Sequence, residues 1–412
     1  MADTTSAPIS DTAPALPMPL WEFVPMIASM MALNALAIDI MLPALRDISD
    51  HYQLAEANQQ QWVIFAYIFG FGVPQLFFGP VSDRFGRKGL LQICLLGYIA
   101  AGIACMLTSS FTFLLITRFF HGVFASGIRV IAASIVRDLM AGRSMAKVMS
   151  LVMTVFMVVP ILAPTIGAGV LLFAPWQWTF GVLSVSGVAL LIWISFRLPE
   201  TLPTGARQPL NLSQTSGAYL QVITTRVTFG YMAASGVIFG ALFSFIAASE
   251  QIFSDVFGQE ETFALWFAGI AASLAAANFV NSRIVERLGM RRISHVVLIA
   301  FTALSLLSAI AMTVIGEHLF IFYPLFCLTF ACFGMMGANF SALAMEPLGK
   351  IAGTASAAYG FATSTVASSF GFIVASQFNG SVAPVMIGFV GLGLGSLSLI
   401  LWTEQGKLFG SR

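Results

Sequence analysis

The chain has 412 residues, of which 58% are hydrophobic and only 9% charged, and its formal net charge is +1. Soluble domains carry about 25% charged residues, so this composition excludes a soluble multidomain protein, and the near-neutral balance removes any chain-wide electrostatic case for nucleic acid. The composition fits an all-α integral membrane protein in contact with the lipid bilayer, with room for about twelve helices of roughly 22 residues, the length a bilayer core requires.

In chain order, residues 1–20 hold Pro, Ser, Thr and Asp but no Lys or Arg, so they read as a disordered cytoplasmic tail without the basic start of a secretory signal. Apolar runs bounded by charge or by Pro and Gly predict spans near 21–43, 58–81, 89–108, 111–136, 146–173 and 178–197, a first half over 21–197. The polar stretch 198–220, with Pro199, Pro203, Gly205 and Pro209, reads as a cytoplasmic linker. Spans near 222–248, 262–282, 293–315, 318–344, 351–377 and 382–403 complete a second half over 221–403, followed by a tail over 404–412. An internal repeat supports this division. Ser82-Asp83-Arg84-Phe85-Gly86-Arg87-Lys88 follows the second span, and Val285-Glu286-Arg287-Leu288-Gly289-Met290-Arg291 follows the eighth, with acid, Arg, Gly and base in the same order.

Charge placement predicts orientation, because Lys and Arg accumulate in cytoplasmic loops. With the N-terminus inside, every one of the 19 basic residues lies on the inner side except Arg46 in an outer loop and Arg118 and Arg129 within the fourth span. Asp47, Asp50, Glu56, Asp255, Glu260, Glu261 and Glu317 fall outside, and Glu250, near the outer end of the seventh span, is expected to be a hydrated interfacial carboxylate. Both termini are therefore predicted to be cytoplasmic.

Other chemistries find little support. Cys94, Cys105, Cys327 and Cys332 sit in apolar runs, without a Cys-x-x-Cys or a His at metal-ligand spacing, and read as small packing residues rather than metal ligands. No Walker-type phosphate loop occurs, which argues against direct ATP hydrolysis. No Ser/His/Asp set or carboxylate pair shares one depth, so an enzyme is not expected, and neither is a cofactor.

Asp39 is the sharpest position, since an ionisable group inside a span costs about 2.5–3.5 kcal/mol on insertion scales and marks function by default. It sits about six residues before the outer end of the first span, or roughly 9 Å deep at 1.5 Å per residue. Arg118 lies at a similar depth in the fourth span, so the two are expected to meet. A carboxyl poised between burial and a neighbouring cation can bind a proton in one conformation and release it in another. Arg118, Gly122, Ala125 and Arg129 share one helical stripe, which suits a cavity better than lipid. Asn34, Tyr67 and Tyr231, with Arg129, are the candidate substrate contacts, alongside an apolar wall of Phe from the later helices. Gly79 and Gly86 are expected to allow close helix approach and a tight turn, and Asp83 to accept hydrogen bonds from a helix N-terminus. Pro160, Pro164 and Gly167 are expected to kink and closely pack the fifth span.

Several runs resemble a known family. Gly79-Pro80-Val81-Ser82-Asp83-Arg84-Phe85-Gly86-Arg87-Lys88 resembles the loop 2–3 signature of the major facilitator superfamily. Leu115-Ile116-Thr117-Arg118-Phe119-Phe120-His121-Gly122 is similar to the helix 4 signature of its proton-driven antiporters, and Pro160-Ile161-Leu162-Ala163-Pro164-Thr165-Ile166-Gly167 to their helix 5 signature. Leu36-Ala37-Ile38-Asp39-Ile40-Met41-Leu42-Pro43-Ala44-Leu45 resembles helix 1 of the Bcr/CflA drug-efflux group. The resemblance implies a major facilitator fold of twelve transmembrane helices in two pseudo-symmetric six-helix halves. It implies a monomer of the bacterial inner membrane that expels small amphipathic drugs, amphenicol-like or other antimicrobials, at the expense of a proton gradient. It also makes Gly79, Asp83, Arg84, Gly86, Arg87 and Lys88 a conformational latch, with the segment Gly349–Thr354 as partner. Export or symport of an endogenous metabolite uses similar residues, and a non-transporting membrane receptor on the same fold is the alternative from another class.

Overall fold

A computed structural model describes residues 18–140, 142–207 and 212–409. The tails expected over 1–20 and 404–412 and the linker lie partly outside these described residues. Before the linker run α1 (Leu20–Asp39), α2 (Leu45–Tyr52), α3 (Trp62–Gly72), α4 (Gln75–Phe85), α5 (Arg87–Leu107), α6 (Phe111–Leu139), α7 (Gly142–Leu171) and α8 (Gln177–Arg197). After it come α9 (Leu212–Thr224), α10 (Arg226–Gln251), α11 (Phe263–Leu288), α12 (Met290–Val314), α13 (Leu319–Met345), α14 (Ala352–Phe361), α15 (Ala367–Ala375) and α16 (Ala383–Thr403). Among the described residues, eleven segments are long and apolar enough to cross a membrane, and counting the pair formed by Ala57–Gly72 and α4, bent by 44°, as one span gives twelve. Among the described residues there is no strand.

Three local results differ from the hydropathy reading. The second span is broken at Val73-Pro74, because Pro74 offers no N–H to the Gly70 carbonyl one turn earlier. The expected outer loop after Pro43 contains α2, whose Leu45 and Ile48 turn inward while its charged residues face out, so a charge-rich stretch concealed an amphipathic helix. The second part of the expected linker is helical as α9.

Helix α9 is tied down by a backbone consequence of another proline. Pro80 cannot donate to the Leu76 carbonyl within α4, and the Tyr219 hydroxyl donates to that carbonyl at 2.8 Å. Burial pushes the Tyr219 hydroxyl up to about 12, so it remains a donor at neutral pH.

Small residues set the helix spacing. A methyl group on Gly122 would collide with the Tyr67 carbonyl, and one on Gly70 with the Phe119 carbonyl, so α3 and α6 meet backbone to backbone. Gly167 of α7 rests on the Ile40 carbonyl just beyond α1 in the same way. Pro160 and Pro164 lie inside α7, which continues through both. Apolar side chains within the spans stay uncovered, with Val185 of α8 66% exposed and Ile93 of α5 60% exposed, as a lipid-facing surface requires.

The two halves repeat their construction. α4 turns into α5 through Gly86 at φ 96°, and α11 into α12 through Gly289 at φ 80°, both in the region that glycine tolerates best. In the first half Arg87 bonds Asp138 at the end of α6, while Glu200 after α8 accepts the Arg87 and Lys88 backbone N–H groups. In the second half Arg291 bonds Glu346 after α13 and Glu404 after α16.

Candidate functional site

Asp39 ends α1 and is 3% exposed. Its Oδ1 is buried without a hydrogen-bond partner, and no ion pair reaches the carboxylate among the described residues. The expected pair with Arg118 is therefore not formed in this structure. Arg118 is fully buried and has other partners: Nε donates to the Val63 carbonyl at 3.2 Å, Nη2 to the Ala37 carbonyl at 3.1 Å, and Nη1 to His121 Nδ1 at 3.2 Å. Nη2 also meets Met41 Sδ at 3.2 Å, and the guanidinium carbon lies 4.4 Å from the Tyr67 ring centroid. Helical geometry explains the miss. Ala37 and Met41 stand four residues apart and share a face, whereas Asp39 is turned about 200° from Ala37. Depth alone does not pair two side chains; azimuth around α1 decides which of them faces Arg118.

Asn34 and Tyr67 are found together and away from the large cavity described below. The Tyr67 hydroxyl donates to Asn34 Oδ1 at 3.1 Å inside the first half. Tyr98 and His121, which the sequence reading passed over as ligands, complete this buried group: their rings are 4.1 Å apart, and His121 Nε2 has no partner. Since Arg118 can only donate, His121 accepts at Nδ1 and carries its proton on Nε2. Tyr231 is displaced further from its expected role. Its hydroxyl donates to Glu404 at 2.7 Å and meets His295 at 3.2 Å, in the polar cluster around Arg291 at the linker end of the second half.

The large cavity, about 800 Å³, opens at the linker end and is walled by both halves. Met31, Gln75, Gly79, Asp83, Arg129 and Arg137 come from before the linker, Tyr219 from α9, and Phe239, Tyr359 and Gly360 from beyond it. Of the expected helix 4 stripe, only Arg129 lines this space. Gly122 and Arg118 instead face α3, which their register on α6 requires once the glycine contact is made. Gln75, a lone amide beside the Pro74 break, joins the halves by donating to Ser364 Oγ at 3.0 Å and to the Gly360 carbonyl at 3.4 Å. A side-chain amide within an apolar span needs a hydrogen-bond partner, and that signal in the sequence points to Gln75 as it does to Asn34.

The loop 2–3 residues are distributed differently from the expected latch. Asp83 is paired with Arg87 at 2.6 Å, four residues on, rather than with a helix N-terminus, because Glu200 already accepts the N–H groups that begin α5. Lys88 Nζ donates to the Ser195 carbonyl, and Arg84 lies over the Phe85 ring. Gly79 faces the cavity, and a side chain there would touch nothing, so close approach is not its role in this structure, whereas Gly86 makes the expected turn. Gly353 and Thr354 of the expected partner segment line the cavity, and Arg137 reaches Gly353 most closely.

At the opposite end the halves are sealed. Gln60 Nε2 donates to Glu250 at 3.1 Å, Gln61 Nε2 to Gln251 at 2.7 Å, and Asn58 Nδ2 to the Phe378 carbonyl at 2.8 Å. Glu250 is 4% exposed, not hydrated at the interface as expected. Arg46 of α2 adds longer ion contacts across the halves to Asp255 and Glu260. The molecule thus has one closed end and one hollow end, the geometry of a carrier caught on one side of its cycle.

Comparison with known proteins agrees with this architecture. Residues 27–372 match the profile of the Major Facilitator Superfamily. The chain is 30% identical over 379 residues to the uncharacterized MFS-type transporter YdgK of Bacillus subtilis, covering 90% of this chain and 93% of the relative. It is 29% identical over 361 residues to the bicyclomycin resistance protein homolog of Haemophilus influenzae, covering 85% and 87%. The fold is similar to that of the Escherichia coli xylose transporter XylE, with a TM-score of 0.73 at 11% identity over 95% of this chain and 99% of that one. This multi-pass membrane protein, built as two six-helix halves around a cavity open at one end, belongs to the Major Facilitator Superfamily, a family of transporters and not of enzymes.

Proposed function

We propose that the chain is a proton-coupled exporter of small amphipathic compounds, working as a monomer in the bacterial inner membrane with both termini cytoplasmic. The cavity then faces the cytoplasm and takes up substrate there, and the sealed end faces outward. The observation that carries the coupling is Asp39: a carboxyl at membrane depth, buried, with Oδ1 unsatisfied and, among the described residues, no cation paired with it. A carboxylate left this way is expensive, so its ionisation requires water or a cation to reach it, and opening of the sealed end would supply that access. Gly167 of α7 presses on the backbone next to Asp39, so a shift of α7 would be felt at this carboxyl.

Antimicrobial export as the physiological task is supported by the likeness to a bicyclomycin resistance protein homolog and by a cavity of drug-accommodating size. Expression in an efflux-deficient bacterium, with growth compared across a compound panel, tests it. Wild-type chain should raise resistance to at least one amphipathic antimicrobial, and Asp39→Asn should abolish that gain while reaching the membrane at equal abundance. Unchanged resistance in the variant would remove Asp39 from the mechanism.

A further inference from the structure

The charged lining of the large cavity is one-sided. Among the described residues, Asp83, Arg129 and Arg137 are the ionisable Asp, Glu, Lys or Arg side chains along it, and Asp83 is occupied by Arg87 at 2.6 Å. Arg129 lies inside, with its guanidinium carbon 5.5 Å from the Phe71 ring centroid, and Arg137 stands exposed beside Gly353. Among the described residues, neither arginine has a carboxylate within ion-pair distance. Arginine does not shed its charge by deprotonation, so the chamber keeps a fixed positive potential. The remaining walls are neutral: Gln75, Ser341, Tyr359 and Thr363 offer hydrogen bonds, while Met31 and Phe239 offer apolar surface.

A lipophilic cation entering this space meets charge of its own sign with no free acid to offset it. An amphipathic anion meets a planar donor fork suited to oxyanions, beside a surface for its apolar body. From this asymmetry, resting on the reading of the cavity as the substrate path, we infer that the transported class is amphipathic anions, carboxylates or comparable oxyanions on an apolar body, with Arg129 as the specificity-determining residue. Arg137 at the mouth raises the local concentration of such anions.

Two xanthene dyes of similar shape and opposite charge test this on the purified full-length protein in detergent. By fluorescence anisotropy, fluorescein should bind about tenfold or more tightly than rhodamine 123, and its affinity should fall as salt rises. Arg129→Gln should weaken fluorescein binding about tenfold, and Arg129→Lys should restore part of the loss. Octanoate should displace fluorescein where octylammonium does not, a comparison that needs no variant. Absence of fluorescein binding, equal or tighter binding of rhodamine 123, or a monodisperse Arg129→Gln protein with unaltered fluorescein affinity would overturn the inference. Binding in detergent requires no transport, so the two readings fail separately. Arg129-dependent fluorescein binding by a chain that expels nothing would sink export alone, and efflux of rhodamine 123 unaffected by Arg129→Gln would sink the anion preference alone.

Discussion

Asp39 and Arg118 are both ionisable groups at membrane depth, yet the structure treats them oppositely. Arg118 donates to the Val63 and Ala37 carbonyls and to His121, whereas among the described residues Asp39 Oδ1 has no partner. A satisfied buried group holds structure together, and removing it leaves a buried acceptor such as His121 Nδ1 without its donor, at about 1–3 kcal/mol for a group left unpaired. An unsatisfied one costs little to neutralise. Arg118→Ala is therefore expected to lower the thermal midpoint of the purified protein, and Asp39→Asn to leave it unchanged or raise it. A midpoint unchanged by Arg118→Ala would mean that its bonds contribute no net stability. Sequence made the identity of both residues legible, because charge in an apolar run stands out. Their partners were not legible, since these are largely backbone carbonyls whose direction depends on helix azimuth.

At the scale of elements, the second span and the linker are joined by an unusual device. Two prolines free carbonyls along α3 and α4, and one of them is taken up by Tyr219 of α9. A net contribution of about 0.5–1.5 kcal/mol is typical of such a bond. Tyr219→Phe should speed hydrogen exchange across α9 relative to α10, and equal exchange would show that α9 is held by packing alone. The twelve spans were legible from hydropathy because every one needs a continuous apolar run. The break at Pro74 was not, since membrane helices can carry proline without breaking. Helices α2 and α9 escaped because polar residues on one face look like loop when azimuth is ignored.

Across the whole molecule, closure depends on which polar side chains bridge the halves. The sealed end uses Asn58, Gln60 and Gln61 against Glu250, Gln251 and the α15 carboxy-terminal region, so it is joined by side-chain amides rather than by strong ion pairs. Such contacts exchange readily for water when the end opens. Gln60→Ala combined with Gln61→Ala should shift the population towards opening at that end, read as faster labelling of a cysteine placed at the half-buried Gln59, whose side chain takes no part in the seal; unaltered labelling would show that packing alone keeps it shut. The two-half architecture was legible from the repeat after the second and eighth spans, which the structure realises as matched turns at Gly86 and Gly289. The inter-half contacts were not legible, because Gln60 and Glu250 lie 190 residues apart with no local pattern to connect them.

The proposed mechanism couples movement of substrate out to movement of protons in through Asp39. Everted membrane vesicles energised to an acid interior, with an interior pH dye, measure this directly. Adding a transported compound should release protons from vesicles carrying the wild-type chain and not from those carrying Asp39→Asn. Equal proton release by the two, or substrate accumulation by the wild-type chain with no proton movement, would rule out coupling through Asp39.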